Sequence, residues 1–213
     1  MPRIDAVIFD MDGVLIDARH LHYEALNAAL SPFGLEISHD AHLANFDGLS
    51  TRQKLAILSE TRGLPQGLHT LINQLKQKFT LAKIPEHCRP VFHHRYLLAR
   101  LNRDGYRLAL CSNSVRRSVD EMIRSAGLDA FFDLTLSNED IRHPKPAPEI
   151  YLTAAQRLKV QPDRCLVVED NFHGIEAARA AGMHVLEVAD PDAVTYERVA
   201  EALATIGARG PVQ

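Results

Sequence analysis

The sequence predicts an α/β protein built on a doubly wound parallel sheet, and three observations carry that expectation. Five short apolar runs recur along the 213 residues, each the length of one buried strand. Stretches with helical spacing separate the later runs, the alternation that produces parallel sheets. Polar clusters stand just beyond strands or at helix starts, where open α/β sheets place their ligands.

Ile4–Phe9 is the first strand, rich in β-branched residues and bounded by polar groups. Arg107–Cys111, Asp133–Ser137, Arg164–Val168 and His184–Val188 read as the other four. Val115, Val119, Met122, Ile123 and Ala126 follow helical spacing, and Gly127 stops them. Ile150, Ala154 and Leu158 mark the next helix after Pro146 and Pro148, which suit a first helical turn. Ile175, Ala178 and Ala181 then lead to Gly182, and residues 189–213 read as a short helix and a frayed tail.

The interval between strands one and two breaks this rhythm. About 90 residues lie there, and they look almost wholly helical. Tyr23–Leu30 is one candidate helix. Ser50-Thr51-Arg52-Gln53 forms a capping box that opens a second. Leu68, Leu71, Ile72, Leu75 and Phe79 make the apolar stripe of a third, and its expected role is packing. Residues 17–86 are therefore expected to form a small helical domain over the sheet, with residues 1–16 and 87–213 as the catalytic core. Pro90–Arg103 is the last helix before strand two. The chain should leave and re-enter the core near Asp17 and Pro85–Pro90, which are the expected hinges.

Composition narrows the class. A hydrophobic content of 46% suffices for a substantial core. A formal charge of −3 gives no basic footprint for nucleic acid, and the 11 histidines are scattered. Cys88, Cys111 and Cys165 are odd in number and unevenly spaced, the usage of a reduced compartment. No apolar run approaches the roughly 18 residues of a membrane span, and the N-terminus enters a strand without a leader pattern. The expectation is a cytoplasmic monomer, with no nucleic-acid or membrane partner.

Four polar clusters carry the chemistry. Asp10-Met11-Asp12-Gly13 ends the first strand with two carboxylates spaced i, i+2. Ser112-Asn113-Ser114 follows the second strand, where a hydroxyl and free backbone N–H groups can hold a phosphate; plain N-capping is the alternative. His143-Pro144-Lys145-Pro146 brackets a lysine with prolines that restrict the local backbone, as suits an ammonium aimed at an anion. Glu169-Asp170-Asn171 follows the fourth strand, and its adjacent carboxylates would repel each other unless a cation sits there. Hard oxygen ligands select Mg2+, which completes its shell with waters and substrate phosphate. Together these residues read as a phosphoryl-transfer site.

With these residues in view, the chain resembles the haloacid dehalogenase superfamily over essentially its whole core. Asp10-x-Asp12-Gly13-Val14-Leu15, Ser112-Asn113, Lys145-Pro146 and Glu169-Asp170 look like the four motifs in order. The helical insertion looks like the cap of the subgroup containing β-phosphoglucomutase and phosphoglycolate phosphatase. The resemblance implies a Rossmann-like core with strand order 5-4-1-2-3. It implies that Asp10 is the nucleophile, forming an aspartyl phosphate, and that Asp12 is the general acid and base. Ser112, Asn113 and Lys145 would bind phosphate. Asp10, Asp12 through its backbone carbonyl, and Asp170 would hold Mg2+, with Glu169 a ligand or just behind. Asp12 also argues against carbon–halogen cleavage, which does not need a second aspartate.

The cap is less explicit. His22 stands where mutase-like members carry a histidine that contacts the acid/base aspartate. Gly48-Leu49-Ser50-Thr51-Arg52 resembles the cap loop facing the core site, with Arg52 a candidate for a second polar group of the substrate. A mutase would carry its arginine at position 51, where this chain has Thr51. Lys76, Lys78 and Lys83 are candidates for a cap lysine. His87, Cys88, His93 and His94 fit no standard zinc spacing. The expected function is a Mg2+-dependent phosphatase of a small phosphate ester, a sugar phosphate in particular. The alternatives are a β-phosphoglucomutase-type enzyme, a phosphonate-cleaving enzyme using a cap lysine, and a receiver-like phospho-acceptor module of a different class.

Overall fold

A computed structural model describes residues 4–46 and 48–208. In chain order the first half holds β1 (Ala6–Phe9), α1 (Arg19–Leu30), α2 (His39–Asn45), α3 (Thr51–Arg62), α4 (His69–His87) and α5 (Phe92–Arg103). The second half holds β2 (Arg107–Cys111), α6 (Arg116–Ser125), β3 (Leu134–Leu136), α7 (Glu149–Leu158), β4 (Cys165–Glu169), α8 (Phe172–Ala180), β5 (His184–Glu187) and α9 (Tyr196–Ala208). The five strands form one parallel sheet in the order β3-β2-β1-β4-β5, which is the expected order read from the other edge.

Alternation along the strands decides which helices cover which face. Val7, Phe9, Leu108, Leu110, Leu166 and Val168 point to one side, where they meet Leu97 and Leu101 of α5, Val119 and Met122 of α6, and Val199 of α9. Ala6, Ile8, Ala109, Cys111, Cys165 and Val167 point to the other, against Ile150, Tyr151 and Ala154 of α7 and Ala177 and Ala178 of α8. With both faces covered, β1 and β4 are buried throughout, as a central parallel strand requires.

The helical cap between β1 and α5 has its own apolar cluster, built from Leu26, Leu30, Ile37, Phe46, Leu55, Leu58, Leu64 and Ile72. The Ser50/Gln53 capping box opens α3, and Gly63 ends that helix at φ +69°. Three details depart from expectation. Helix α1 starts at Arg19, a full turn before Tyr23. The short α2 lacks an apolar period and is opened by Ser38, whose Oγ accepts from the Ala41 N–H. Helix α4 runs on to His87 through Pro85, which falls in its last turns, where the missing N–H removes only one backbone bond. Leu21, Ile84 and Cys88 pack into the sheet's cluster, so α1 and α4 are rooted in the core at the ends nearest the sheet. No helix of the described residues is long and apolar enough to cross a membrane.

Candidate active site

The first motif is shaped by a tight loop after β1. The Asp10 N–H donates to the Val168 carbonyl at 3.0 Å, which seats Asp10 between β1 and β4. The Leu15 and Ile16 N–H groups both reach the Met11 carbonyl at 3.0 Å, and the Gly13 N–H reaches Ile16 at 2.8 Å. Gly13 adopts φ +89°, and a Cβ there would lie 2.1 Å from Asp170 Oδ2. Only glycine meets both conditions.

Lys145 ties the other motifs to Asp10. The residue is 3% exposed, and its ammonium donates to Asp10 Oδ1 (2.5 Å), Glu169 Oε1 (2.7 Å) and the Cys111 carbonyl (3.0 Å). The Tyr151 hydroxyl donates to the same Glu169 oxygen at 2.9 Å, and the Tyr151 ring lies 4.8 Å from the ammonium. Glu169 Oε2 accepts the N–H groups of Asp170 and Asn171. The Lys145 N–H donates to Asn113 Oδ1 at 3.2 Å, while Asn113 Nδ2 donates to the Gly48 carbonyl of the cap at 3.1 Å. Asn113 thus joins the second motif, the third motif and the cap loop.

One oxygen from each of Asp10, Glu169 and Asp170 lies within 4.8 Å of the others, the only such group of His, Cys, Asp and Glu among the described residues. Burial pushes the Asp10 carboxyl well above its usual range; Lys145 pulls against this, and Glu169, Asp12 and Asp170 add to it. Burial also works to lower Lys145, but Asp10 and Glu169 overcome it and hold the ammonium charged. A buried, all-oxygen donor set with an excess of negative charge fits a hard divalent cation. Arg19 of α1 pairs with Asp170 Oδ2.

Asp12 faces the cap. Its Oδ2 accepts from Ser114 Oγ at 3.0 Å and from Ser112 Oγ at 3.4 Å. His22 Nε2 lies 3.2 Å from Asp12 Oδ1, close enough for charge to act although the pair is not aligned as a hydrogen bond. Lys76 Nζ lies 3.2 Å from His22 Nδ1. Burial alone would raise Asp12, yet His22, the Ser114 hydroxyl and Lys76 together lower its pKa. Burial drives Lys76 down to about 7, with Lys54 adding to the shift.

The cleft therefore brings together Asp10, Asp12, Asn113, Lys145, Glu169 and Asp170 from the core with His22 and Thr51 from the cap. Ser112 is fully buried beside it, and its Oγ reaches Asp12 and the Ser114 N–H. Arg52 is exposed and lies outside the cleft lining. Of the three lysine candidates Lys76 enters the cleft, Lys78 is exposed and Lys83 pairs with Glu24. His94 turns its Nε2 to the Pro191 carbonyl at 2.9 Å, and Cys88 is buried in the core cluster. Arg19, Lys54 and Tyr151 are site residues that the motifs did not reveal. Lys54 alone had a local signal, standing one helical turn after the cap residue Ser50. The cleft measures about 60 Å3.

The model of the haloacid dehalogenase-like hydrolase family matches residues 7–188. The chain belongs to this family. Among its relatives is the phosphorylated carbohydrates phosphatase of Thermotoga maritima, 31% identical over 182 residues that cover 84% of this chain and 82% of that one. The fructose-1-phosphate phosphatase of Escherichia coli K12 is 30% identical over 186 residues, covering 87% and 97%. The crystal structure of β-phosphoglucomutase from Clostridium difficile superposes with a TM-score of 0.82 at 23% identity, covering 97% of this chain and all of that one. This likeness places the haloacid dehalogenase-like fold, cap included, over nearly the whole chain.

Proposed function

We propose that this hydrolase is a Mg2+-dependent phosphatase that cleaves a small sugar phosphate through an aspartyl phosphate on Asp10. The observation that carries the reading is the pairing of two differently furnished aspartates at one strand end. Asp10 is buried against Lys145, whereas Asp12 sits among hydroxyls and His22 and faces the cap. The two carboxylates thus differ in surroundings, and the roles of nucleophile and acid require a bound cation to lower Asp10 and a substrate anion to raise Asp12, the reverse of the shifts the protein groups alone produce. Two of the relatives, at 30–31% identity, are by name phosphatases of phosphorylated sugars, which supports the substrate class, while others are named pyrophosphatases.

In this mechanism Lys145 holds Asp10 by one oxygen, leaving the other to attack phosphorus. Asp12 protonates the departing alkoxide and then removes a proton from the attacking water. Asn113 can offer its second Nδ2 N–H to the transferring oxygens, whereas Ser112 would turn its hydroxyl from Asp12 and Lys145 would release one of its three acceptors to join it as charge redistributes. Asp10, Asp170 and the backbone carbonyl of Asp12 would hold Mg2+, which when bound supplies positive charge to the phosphoryl oxygens. Glu169, already accepting four hydrogen bonds, orients Lys145 and the Asp170 backbone from behind. Residues 17–86 act as the cap that admits substrate, with hinges near Asp17 and Pro85–Pro90. One chain supplies every residue named here, which supports a monomer as the active unit.

Phosphate release from sugar phosphates, phosphoglycolate and nucleotides, with and without Mg2+, tests the proposal. Release that needs Mg2+ and is lost in Asp10→Asn is expected. Conversion of β-glucose 1-phosphate to glucose 6-phosphate without release would replace it with the mutase reading, which Thr51 in the cap loop disfavours. A stable phosphoprotein without turnover would point to the signalling reading.

A further inference from the structure

Arg19 and Lys145 divide the carboxylate cluster between them. Lys145 is committed to Asp10 and Glu169, and Arg19 to Asp170. The two cations differ in exposure. The Lys145 side chain is 4% exposed, whereas that of Arg19 is 35% exposed and borders the cleft. Arg19 Nη2 also lies 3.5 Å from the Ala189 carbonyl, an outer contact that keeps the guanidinium at the rim. The Asp170 side chain is only 2% exposed, so it depends on a cation close at hand.

We infer that Arg19 and Mg2+ compete for Asp170. The inference rests on the metal reading given above. A guanidinium and a divalent cation on one carboxylate repel each other strongly in a partly buried site. Lys145 is enclosed, whereas Arg19, at the rim, is the cation of the two that can turn toward solvent when the ion takes its place on Asp170. Arg19 therefore holds Asp170 in place in the metal-free protein and weakens the ion's affinity, making the site exchangeable. Because Arg19 is also the first residue of α1, release of its guanidinium frees a contact between the cap's first helix and the β4–α8 loop.

Calorimetric titration of the full chain with MgCl2, beside metal-free thermal melts, tests this. Arg19→Gln should bind Mg2+ about 10-fold tighter, the size of effect that groups around metal ligands exert, and should melt lower without metal. Arg19→Lys, with one compact charge in place of the planar fork, should show a smaller gain in the same direction. It also carries the test if the glutamine variant does not fold. Mg2+ binding to wild type with equal or weaker binding to both variants would overturn the competition alone. Absence of Mg2+ binding to wild type would overturn the metal reading with it.

Discussion

Asp10 Oδ1 and Lys145 Nζ meet at 2.5 Å across 135 residues of sequence, inside a site where both side chains are almost fully enclosed. The same ammonium reaches Glu169 at 2.7 Å, so one cation serves two buried carboxylates. Removing it should be costly, because both acids lose their counter-charge together. Lys145→Met is expected to lose about 3–5 kcal/mol of stability, whereas Tyr151→Phe, which gives up one hydrogen bond to Glu169, should lose about 1–3 kcal/mol. Urea unfolding of the two variants side by side checks the ranking; a reversed order would contradict it.

Gly174 makes the same cluster sensitive to a single methyl group. A Cβ at this position would lie 1.5 Å from Glu169 Oε1, the oxygen that receives both Lys145 and Tyr151. Gly174→Ala should therefore displace Glu169, lowering stability by about 3 kcal/mol or more and cutting phosphate release with it. Gly67→Ala, where a Cβ meets nothing within 4 Å, is the matched control and should leave both nearly unchanged.

Lys76 gives the protein a distinctive pH dependence. Burial, with Lys54 adding to it, lowers its pKa in the folded protein to about 7, while the unfolded chain keeps the ordinary value of 10.5. Between these values the unfolded state binds more protons, so raising the pH favours the folded state. Lys76 should add stability as pH climbs from about 7 toward 10.5, by at most about 3 kcal/mol over the first two units. Lys76→Met should be relatively more stable near pH 7 and lose that advantage by pH 9–10. Melting curves at both ends decide this, and a constant difference between wild type and variant would argue against it.

The cleft of about 60 Å3 between cap and core is far smaller than the ~300–1,000 Å3 of a typical small-molecule site. So small a volume leaves little room for a sugar phosphate, so cap and core are expected to separate to admit it, and closure over it would exclude bulk water from the phosphoryl group. Small-angle scattering should show a larger radius for the free enzyme than with Mg2+ and a phosphate analogue. An identical radius in both states would rule out the hinge at Asp17 and Pro85–Pro90.

Much of the core was legible from local pattern. The continuous apolar runs at Ala6–Phe9 and residues 165–168 are a property of neighbouring residues, and so is the capping box at Ser50 and Gln53. The polar clusters needed only short spacing, since each stands directly after a strand or before a helix. The seven-residue α2 escaped because a helix held mainly by its Ser38 cap and by its surroundings leaves no apolar period to read.

The amino-acid sequence alone determined the α/β class, the parallel strands, the inserted helices and the motif carboxylates, because short-range periodicity and turn chemistry encode these features. Only the tertiary structure chose Lys76 over Lys78 and Lys83, brought Lys54 to the cleft while leaving Arg52 outside, and set Arg19 on Asp170 and Tyr151 on Glu169. Those choices join residues up to 151 positions apart, where helix packing and strand order, and no local spacing, decide which side chains share a dielectric environment and a charge.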